Sequence, residues 1–252
     1  MEYKKGDGYY AGKREDILAL LDLRHGIKVL DVGCGDGGAG KLIKKKYKAE
    51  VHGIDINFSA ADKARIHYDS VTNENIEQDK IIFEAHYFDF IICADVLEHL
   101  SDPWKALRRL NNYMKNDGRL AASIPNIRNA DVLTQLLDGS FDYQEYGVLD
   151  DTHLRFFTYR SSIRLFERCG FKVEKIIRKI TNSDSDQIID IWKQSRVPHI
   201  ASMLIKRLTG KDISLGNDFL EDLLTFQFLI TADKQEQPNI RKRAIERQLC
   251  TG

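Results

Sequence analysis

Residues 27–40 read Ile27-Lys28-Val29-Leu30-Asp31-Val32-Gly33-Cys34-Gly35-Asp36-Gly37-Gly38-Ala39-Gly40, a short apolar run that ends in a dense glycine loop. The run predicts a strand, and 39–47 beyond the loop predicts a helix whose end is basic through Lys44, Lys45, Lys46 and Lys48, where cations suit a helix C-terminus. Gly33, Gly35 and Gly38 satisfy G-x-G-x-x-G, and Asp55 lies twenty-two residues beyond Gly33 at the end of the next strand, 51–56. Glycines let backbone N–H groups approach a ligand, and a strand-end carboxylate accepts ribose hydroxyls, so the pattern suits an adenosine-containing ligand. Asp31 precedes the first glycine by two residues. A carboxylate there repels a pyrophosphate but can pair with an ammonium, which favours a zwitterionic adenosine ligand.

Outward from this loop the chain alternates strands and helices, a βαβ rhythm that predicts a parallel sheet. Upstream, apolar positions 17, 18, 20, 21 and 23 mark a helix over 13–23. Downstream come a helix over 58–68, a weak third strand near 71–76 and an apolar strand at 88–93 of the kind buried on both faces. Asp102 as N-cap and Pro103 at the first helical position start the next helix, and Asn116-Asp117-Gly118 is expected to stop it before a strand over 119–124. The segment 125–153 reads as a long loop, a lid or a substrate-contacting piece. Thr158 caps a helix that Gly170 ends, 171–180 is a strand, and 223–232 is the last strand. The domain organisation expected is a lead-in over 1–26, a main domain over 27–180 and 222–232, a helical insertion over 181–221 and a charged tail over 233–252.

Composition narrows the function classes. The chain has 252 residues, with 38 Lys plus Arg against 38 Asp plus Glu, so no global field draws it to nucleic acid or to an acidic membrane. Its four cysteines, at 34, 93, 169 and 250, lack disulfide or zinc spacing. The sequence has no signal-peptide pattern at its start and no window of roughly 20 apolar residues, so a cytoplasmic protein without a membrane span is expected. No metal site is assigned, because the histidines lack the short spacing of a ligand pair.

Val29 to Gly37 resembles motif I of the class I S-adenosylmethionine-dependent methyltransferases, and Val96-Leu97-Glu98-His99-Leu100-Ser101-Asp102-Pro103 resembles the segment after their fourth strand. Asp151-Thr152-His153-Leu154-Arg155-Phe156-Phe157-Thr158, followed by Cys169-Gly170-Phe171, resembles a subgroup found in bacterial polysaccharide and sugar-modifying gene clusters. The resemblance covers about residues 9–180 and implies a Rossmann-like α/β fold, a seven-stranded sheet in the order 3-2-1-4-5-7-6 with the last strand antiparallel. It also implies S-adenosyl-L-methionine as cofactor. Gly33, Cys34 and Gly35 would pass under the methionine part, Asp31 would face its ammonium, and Asp55 would hold the ribose hydroxyls. Ile56 would flank the adenine, with Asn75 and Ile76 at the place where related sequences often carry Asp before an apolar residue. Ala94, Asp95 and Val96 would line the sulfonium. Tyr10 and Arg14 would close over the cofactor, Arg14 pairing with its carboxylate.

Methyl transfer to oxygen needs reactants held in line and, for an alcohol, a group that takes the proton. His99 and His153 are the candidate bases, each with a structural alternative as a helix-cap, packing or hydrogen-bonding histidine. Glu98 and Asp95 are weaker candidates. The acceptor expected is a sugar, sugar nucleotide or other small polar molecule, with N- or O-methylation of another small molecule as the alternative; the basic residues Lys193, Arg196, Lys206, Arg207 and Lys211 of the insertion either grip a phosphate or form a solvated helix face. A homodimer stays open. The formal G-x-G-x-x-G keeps a nicotinamide-dependent oxidoreductase as the rival enzyme, and a cofactor-binding partner subunit without turnover is the rival from another class.

Overall fold

The strands are β1 (Lys28–Val32), β2 (Glu50–Ile54), β3 (Ser70–Thr72), β4 (Phe88–Ala94), β5 (Met114–Pro125), β6 (Phe171–Ile180) and β7 (Thr225–Lys234). A computed structural model describes residues 14–78, 83–180, 194 and 197–235, and in it these strands form one sheet in the order β3-β2-β1-β4-β5-β7-β6. β1 pairs in parallel with β2 and β4, β2 with β3, and β4 with β5, whereas β7 runs antiparallel to both its neighbours. Strand order and the antiparallel last strand match the sequence expectation.

Period-two alternation divides the apolar residues between the two faces. Leu30, Val32, Ile91, Cys93, Leu120, Ala122, Phe228 and Ile230 pack on one face with α4 (Pro103–Tyr113) and α6 (Tyr159–Glu167). Val29, Ile92, Ala121 and Leu229 pack on the other with α1 (Glu15–Leu18), α2 (Gly38–Tyr47) and α3 (Phe58–Ala64). Asp31 falls between Leu30 and Val32, and alternation alone sends its carboxyl to the second face, at the end of the strand where the glycine loop begins. Asp102 caps α4 by accepting a bond from the Lys105 N–H, and Thr158 with Ser161 forms a capping box at α6.

Several expected boundaries shift. The lead-in helix is four residues long rather than spanning 13–23, and β3 is Ser70–Thr72, sharing only 71 and 72 with the 71–76 expectation. Asn116-Asp117-Gly118 does not end the helix. α4 stops at Tyr113, and the three residues lie in β5, whose register slips from Phe88↔Met114 to Phe90↔Arg119. That irregularity takes up the extra residues, pinned by Lys115 Nζ on Asp89 Oδ1 at 2.7 Å. The segment 125–153 is not a simple loop: α5 (Ala130–Asp138) forms inside it, with Asn129 as N-cap and Gly139, at φ 83°, as C-cap. The expected insertion contains α7 (Val197–Thr209), and α8 (Asn217–Leu224) begins in it and runs three residues past its expected end at 221, so the last strand starts at Thr225 instead of 223. The apolar stripe Ile200, Met203, Leu204 and Leu208 of α7 faces solvent. No described helix is long and apolar enough to cross a membrane. Tyr10, Lys193 and Arg196 lie outside the described residues.

Candidate functional site

At the carboxyl ends of β1, β2 and β4 a cavity of about 470 Å³ opens, within the usual range for a small-molecule site. Among the described residues it collects every proposed site residue: Arg14, Asp31, Gly33, Cys34, Gly35, Asp55, Ile56, Asn75, Ile76, Ala94, Asp95, Val96, His99 and His153 all line it. Pro125 at the end of β5 and Phe226 and Gln227 at the start of β7 complete the wall together with residues of the 147–153 segment.

The glycine end is built by backbone. The N–H groups of Gly33 and Cys34 both donate to the Ile54 carbonyl, at 2.8 and 3.1 Å, and the Gly35 N–H donates to Asp55 Oδ2 at 2.8 Å. Asp55 Oδ1 accepts from the Asn57 N–H at 2.8 Å, so both carboxylate oxygens are oriented and keep lone pairs toward the cavity. Gly33 sits at φ 70°, and a Cβ there would come within 2.5 Å of Val96 Cγ2, so only glycine leaves this passage clear. Burial pushes the Asp55 carboxyl upward, against its two backbone hydrogen bonds. Burial also pushes the Cys34 thiol far up, which removes it as a nucleophile near neutrality.

Asp31 is 3% exposed, and the Tyr68 hydroxyl donates to its Oδ2 at 2.5 Å. The same hydroxyl accepts from the Gly40 N–H at 3.0 Å, tying the glycine loop to the carboxyl. Burial raises Asp31 to about 7, while Tyr68 holds it down and Asp55 pushes it up. Tyr68 was invisible in the sequence: its ring fits only because Gly40 and Gly53 lack side chains, a Cβ at Gly40 lying 2.3 Å from the ring.

Arg14 lies on the cavity wall among protein partners. Its guanidinium pairs with Asp95 and donates to Ser123 Oγ at 2.9 Å, so it orders a protein carboxylate. Asp95 itself stands at φ 56°, in the left-handed region that aspartate enters more readily than most side chains. Ser123 Oγ donates to Asp95 Oδ1 at 2.7 Å, and Gln227 adds a further bond to the same oxygen. Ser123 and Gln227 carried no sequence signal, because they come from β5 and β7. Asn75 Oδ1 accepts from the Glu77 N–H at 2.8 Å and keeps a second lone pair, while Ile56 lies on the rim, 70% exposed. Lys206, Arg207 and Lys211 are exposed and do not line the cavity, and Lys206 pairs with Asp212 at 2.8 Å.

The far end joins β4 to the 147–153 segment. Leu97–His99 forms a single 3-10 turn, and the Glu98 carbonyl accepts from the N–H groups of Leu154 and Arg155 at 2.8 and 2.9 Å. This clamp brings the His99 and His153 rings to 4.7 Å between centroids. His99 Nδ1 faces the Thr152 carbonyl at 3.2 Å and Thr152 Oγ1 at 3.0 Å; His153 Nδ1 faces the Val148 carbonyl at 3.0 Å. Carbonyl acceptors require the hydrogen on Nδ1 in each ring, which leaves the lone pair on Nε2. Burial first, then the neighbouring His153, holds His99 below its ordinary value, so the ring stays neutral near pH 7. Glu98 is 1% exposed and is pushed well above the usual carboxylate range by burial and by Asp95. Although no metal ligands were assigned from spacing, Glu98, His99 and His153 bring ligand atoms within 4.8 Å of one another.

The residues present fit S-adenosylmethionine. Asp55 suits the ribose, the glycine loop leaves room for the methionine part, and buried Asp31 suits an ammonium. A dinucleotide pyrophosphate on the glycine loop would meet the Asp31 carboxyl, which disfavours the oxidoreductase alternative.

Residues 6–176 match the family model described as a methyltransferase domain. A ubiquinone biosynthesis O-methyltransferase of Neisseria meningitidis serogroup C (strain 053442) is 35% identical over 111 residues, 42% of this chain and 46% of that protein. One of the same description from Histophilus somni (strain 2336) is 28% identical over 163 residues, 57% of this chain and 67% of that protein. For most of these curated relatives, the match spans about half of their length. Among solved structures, a SAM-dependent methyltransferase from Archaeoglobus fulgidus superposes with a TM-score of 0.59 at 19% identity, covering 90% of this chain and 94% of that one, a likeness of fold.

Proposed function

The chain belongs to the methyltransferase domain family, and from that premise we propose that it catalyses S-adenosylmethionine-dependent methylation of a hydroxyl on a small acceptor. The observation that carries this reading is the single cavity in which the glycine loop and Asp55 stand opposite the paired histidines. When bound, S-adenosylmethionine supplies an electrophilic methyl group on a sulfonium. Asp55 holds the ribose hydroxyls, the Gly33–Gly35 backbone passes under the methionine part, ionised Asp31 receives the ammonium, and the Arg14–Asp95–Ser123 cluster fixes the wall between cofactor and acceptor. The acceptor hydroxyl must shed its proton as its oxygen bonds the methyl carbon. The lone pair on Nε2 of His99 or His153 accepts that proton, a general-base contribution of about 10²–10⁴-fold.

For the acceptor, the resemblance of the 151–158 segment to sugar-modifying enzymes supports a sugar or sugar nucleotide. A phenolic acceptor is the second reading, favoured by the names of the relatives, ubiquinone biosynthesis O-methyltransferases. Incubation with methyl-labelled cofactor and a panel of nucleotide sugars and catechols, read by mass spectrometry, tests both. Gain of one labelled methyl group on one class supports the reading and chooses the acceptor. A chain that binds the cofactor and methylates nothing in its own pathway favours the partner-subunit alternative.

A further inference from the structure

We infer that Glu98, His99 and His153 form a binding site for one divalent transition-metal cation, Zn²⁺ or Mn²⁺ in class, which holds the acceptor hydroxyl. Their ligand atoms already lie within 4.8 Å of one another. Metal–ligand bonds of about 2.0–2.2 Å ask for neighbouring ligand atoms roughly 3–3.5 Å apart, so closure takes about an ångström of side-chain movement. Two imidazole nitrogens and one carboxylate on a shared wall, with open positions toward a cavity, are a donor set for such cations.

Three independent features point to a cation. Glu98 is 1% exposed, and neither of its carboxylate oxygens meets a hydrogen-bond partner on another described residue. Both histidines have Nδ1 against a backbone carbonyl, Thr152 for His99 and Val148 for His153, which turns the Nε2 lone pair of each ring into the ligand and fixes ring orientation as metal-binding histidines require. Thr152 Oγ1, the other partner of His99 Nδ1, is itself fixed by donating to Asp150 Oδ1 at 2.5 Å. Finally, the described residues lining the cavity include seven carboxylates, among them Asp95 and Asp150 beside this corner, and Arg14 is the one Lys or Arg. The sulfonium and ammonium of the cofactor, less its carboxylate, return one positive charge, so negative charge remains in excess.

The role in turnover rests on the methyl-transfer reading; the site itself rests on the geometry. With the cation held, the acceptor oxygen takes an open position and its proton leaves to water, a bound hydroxyl being far more acidic than a free one. The O–CH₃ bond then forms as the S–CH₃ bond breaks, and the electron pair of the broken bond stays on sulfur. In this state the histidines act by holding the cation instead of taking the proton themselves.

The test uses the full chain stripped with chelator and titrated with Co²⁺, followed by its visible absorption, and with Zn²⁺ by calorimetry. One equivalent is expected to bind, with a Co²⁺ band characteristic of nitrogen ligation, and His99→Ala, His153→Ala and Glu98→Gln should each weaken binding at least about tenfold. Absence of saturable binding by the wild type overturns the proposal, and so does binding that all three variants retain unchanged. S-adenosylmethionine titrated into the stripped chain and the variants reports separately on folding and on the methyl-transfer reading. Cofactor binding without metal binding overturns this site alone, and loss of cofactor binding by the wild type overturns the function proposed above.

Discussion

At one end of the cavity, the Gly33 N–H donates to the Ile54 carbonyl and the Gly35 N–H to the Asp55 carboxylate, all inside a single βαβ unit. At the other, His99 meets His153 across more than fifty residues of chain, held by the Glu98 carbonyl and the Leu154 and Arg155 N–H groups. The first end is specified by conformation: a positive φ, a missing Cβ, a carboxylate at a strand end. The second is specified by tertiary assembly, and its side chains could change chemistry without disturbing the sheet. Substitutions at the two ends are therefore expected to separate cofactor binding from turnover.

The largest effect is expected at the assembled end. His99→Ala or His153→Ala should lower kcat by about 10²–10⁴-fold and leave the Kd for S-adenosylmethionine nearly unchanged, measured by steady-state kinetics and calorimetry. A large rise in that Kd would erase the separation between the two ends. Next comes Gly33→Ala, which must adopt φ 70° and push its Cβ to within 2.5 Å of Val96. Left-handed strain and overpacking together cost about 3 kcal/mol, enough to weaken cofactor binding roughly a hundredfold if the loop yields to relieve them. Asp55→Ala should weaken the cofactor by about 10–100-fold, because the Gly35 and Asn57 N–H groups also lose their acceptor.

How much of this was legible in the sequence differs between the same two ends. Gly33, Gly35 and Asp55 could be read because their spacing is local and each acts through backbone geometry. Strand order was legible through the resemblance, and the Asp102 and Thr158 caps through their own chemistry. Tyr68 could not be read: its contact with Asp31 depends on the absence of side chains at Gly40 and Gly53, positions that looked like ordinary loop and strand glycines. Arg14 was read as a cofactor ligand, and its pairing with Asp95 on the cavity wall carried no sequence signal. The three Glu98–His99–His153 ligands escaped a spacing argument because only the clamp between the 3-10 turn and the 150–155 segment brings them together. Asn116-Asp117-Gly118 looked like a helix stop because a register slip in β5 uses the same residues.

A smaller effect should appear with pH. Asp31 is raised to about 7 by burial, whereas an exposed aspartate titrates near 3.8, so the folded chain keeps that proton through the interval while the unfolded chain loses it. This contribution to stability falls as pH rises from about 4 to about 7 and is flat above. Urea midpoints of the wild type against Asp31→Asn should show that slope in the wild type and lose it in the variant. Cofactor affinity should rise across the same interval, as the carboxylate that receives the ammonium appears. Smallest is Asn75→Ala, expected to weaken the cofactor only a few-fold, since one neutral hydrogen bond contributes about 1 kcal/mol.

The most direct measurement is calorimetric titration of the wild type and Asp55→Ala with S-adenosylmethionine and with NAD. Saturable binding of S-adenosylmethionine at one site per chain, weakened by Asp55→Ala, with no binding of NAD, is the result predicted. Binding of NAD without S-adenosylmethionine, or S-adenosylmethionine binding that Asp55→Ala leaves untouched, would contradict the account.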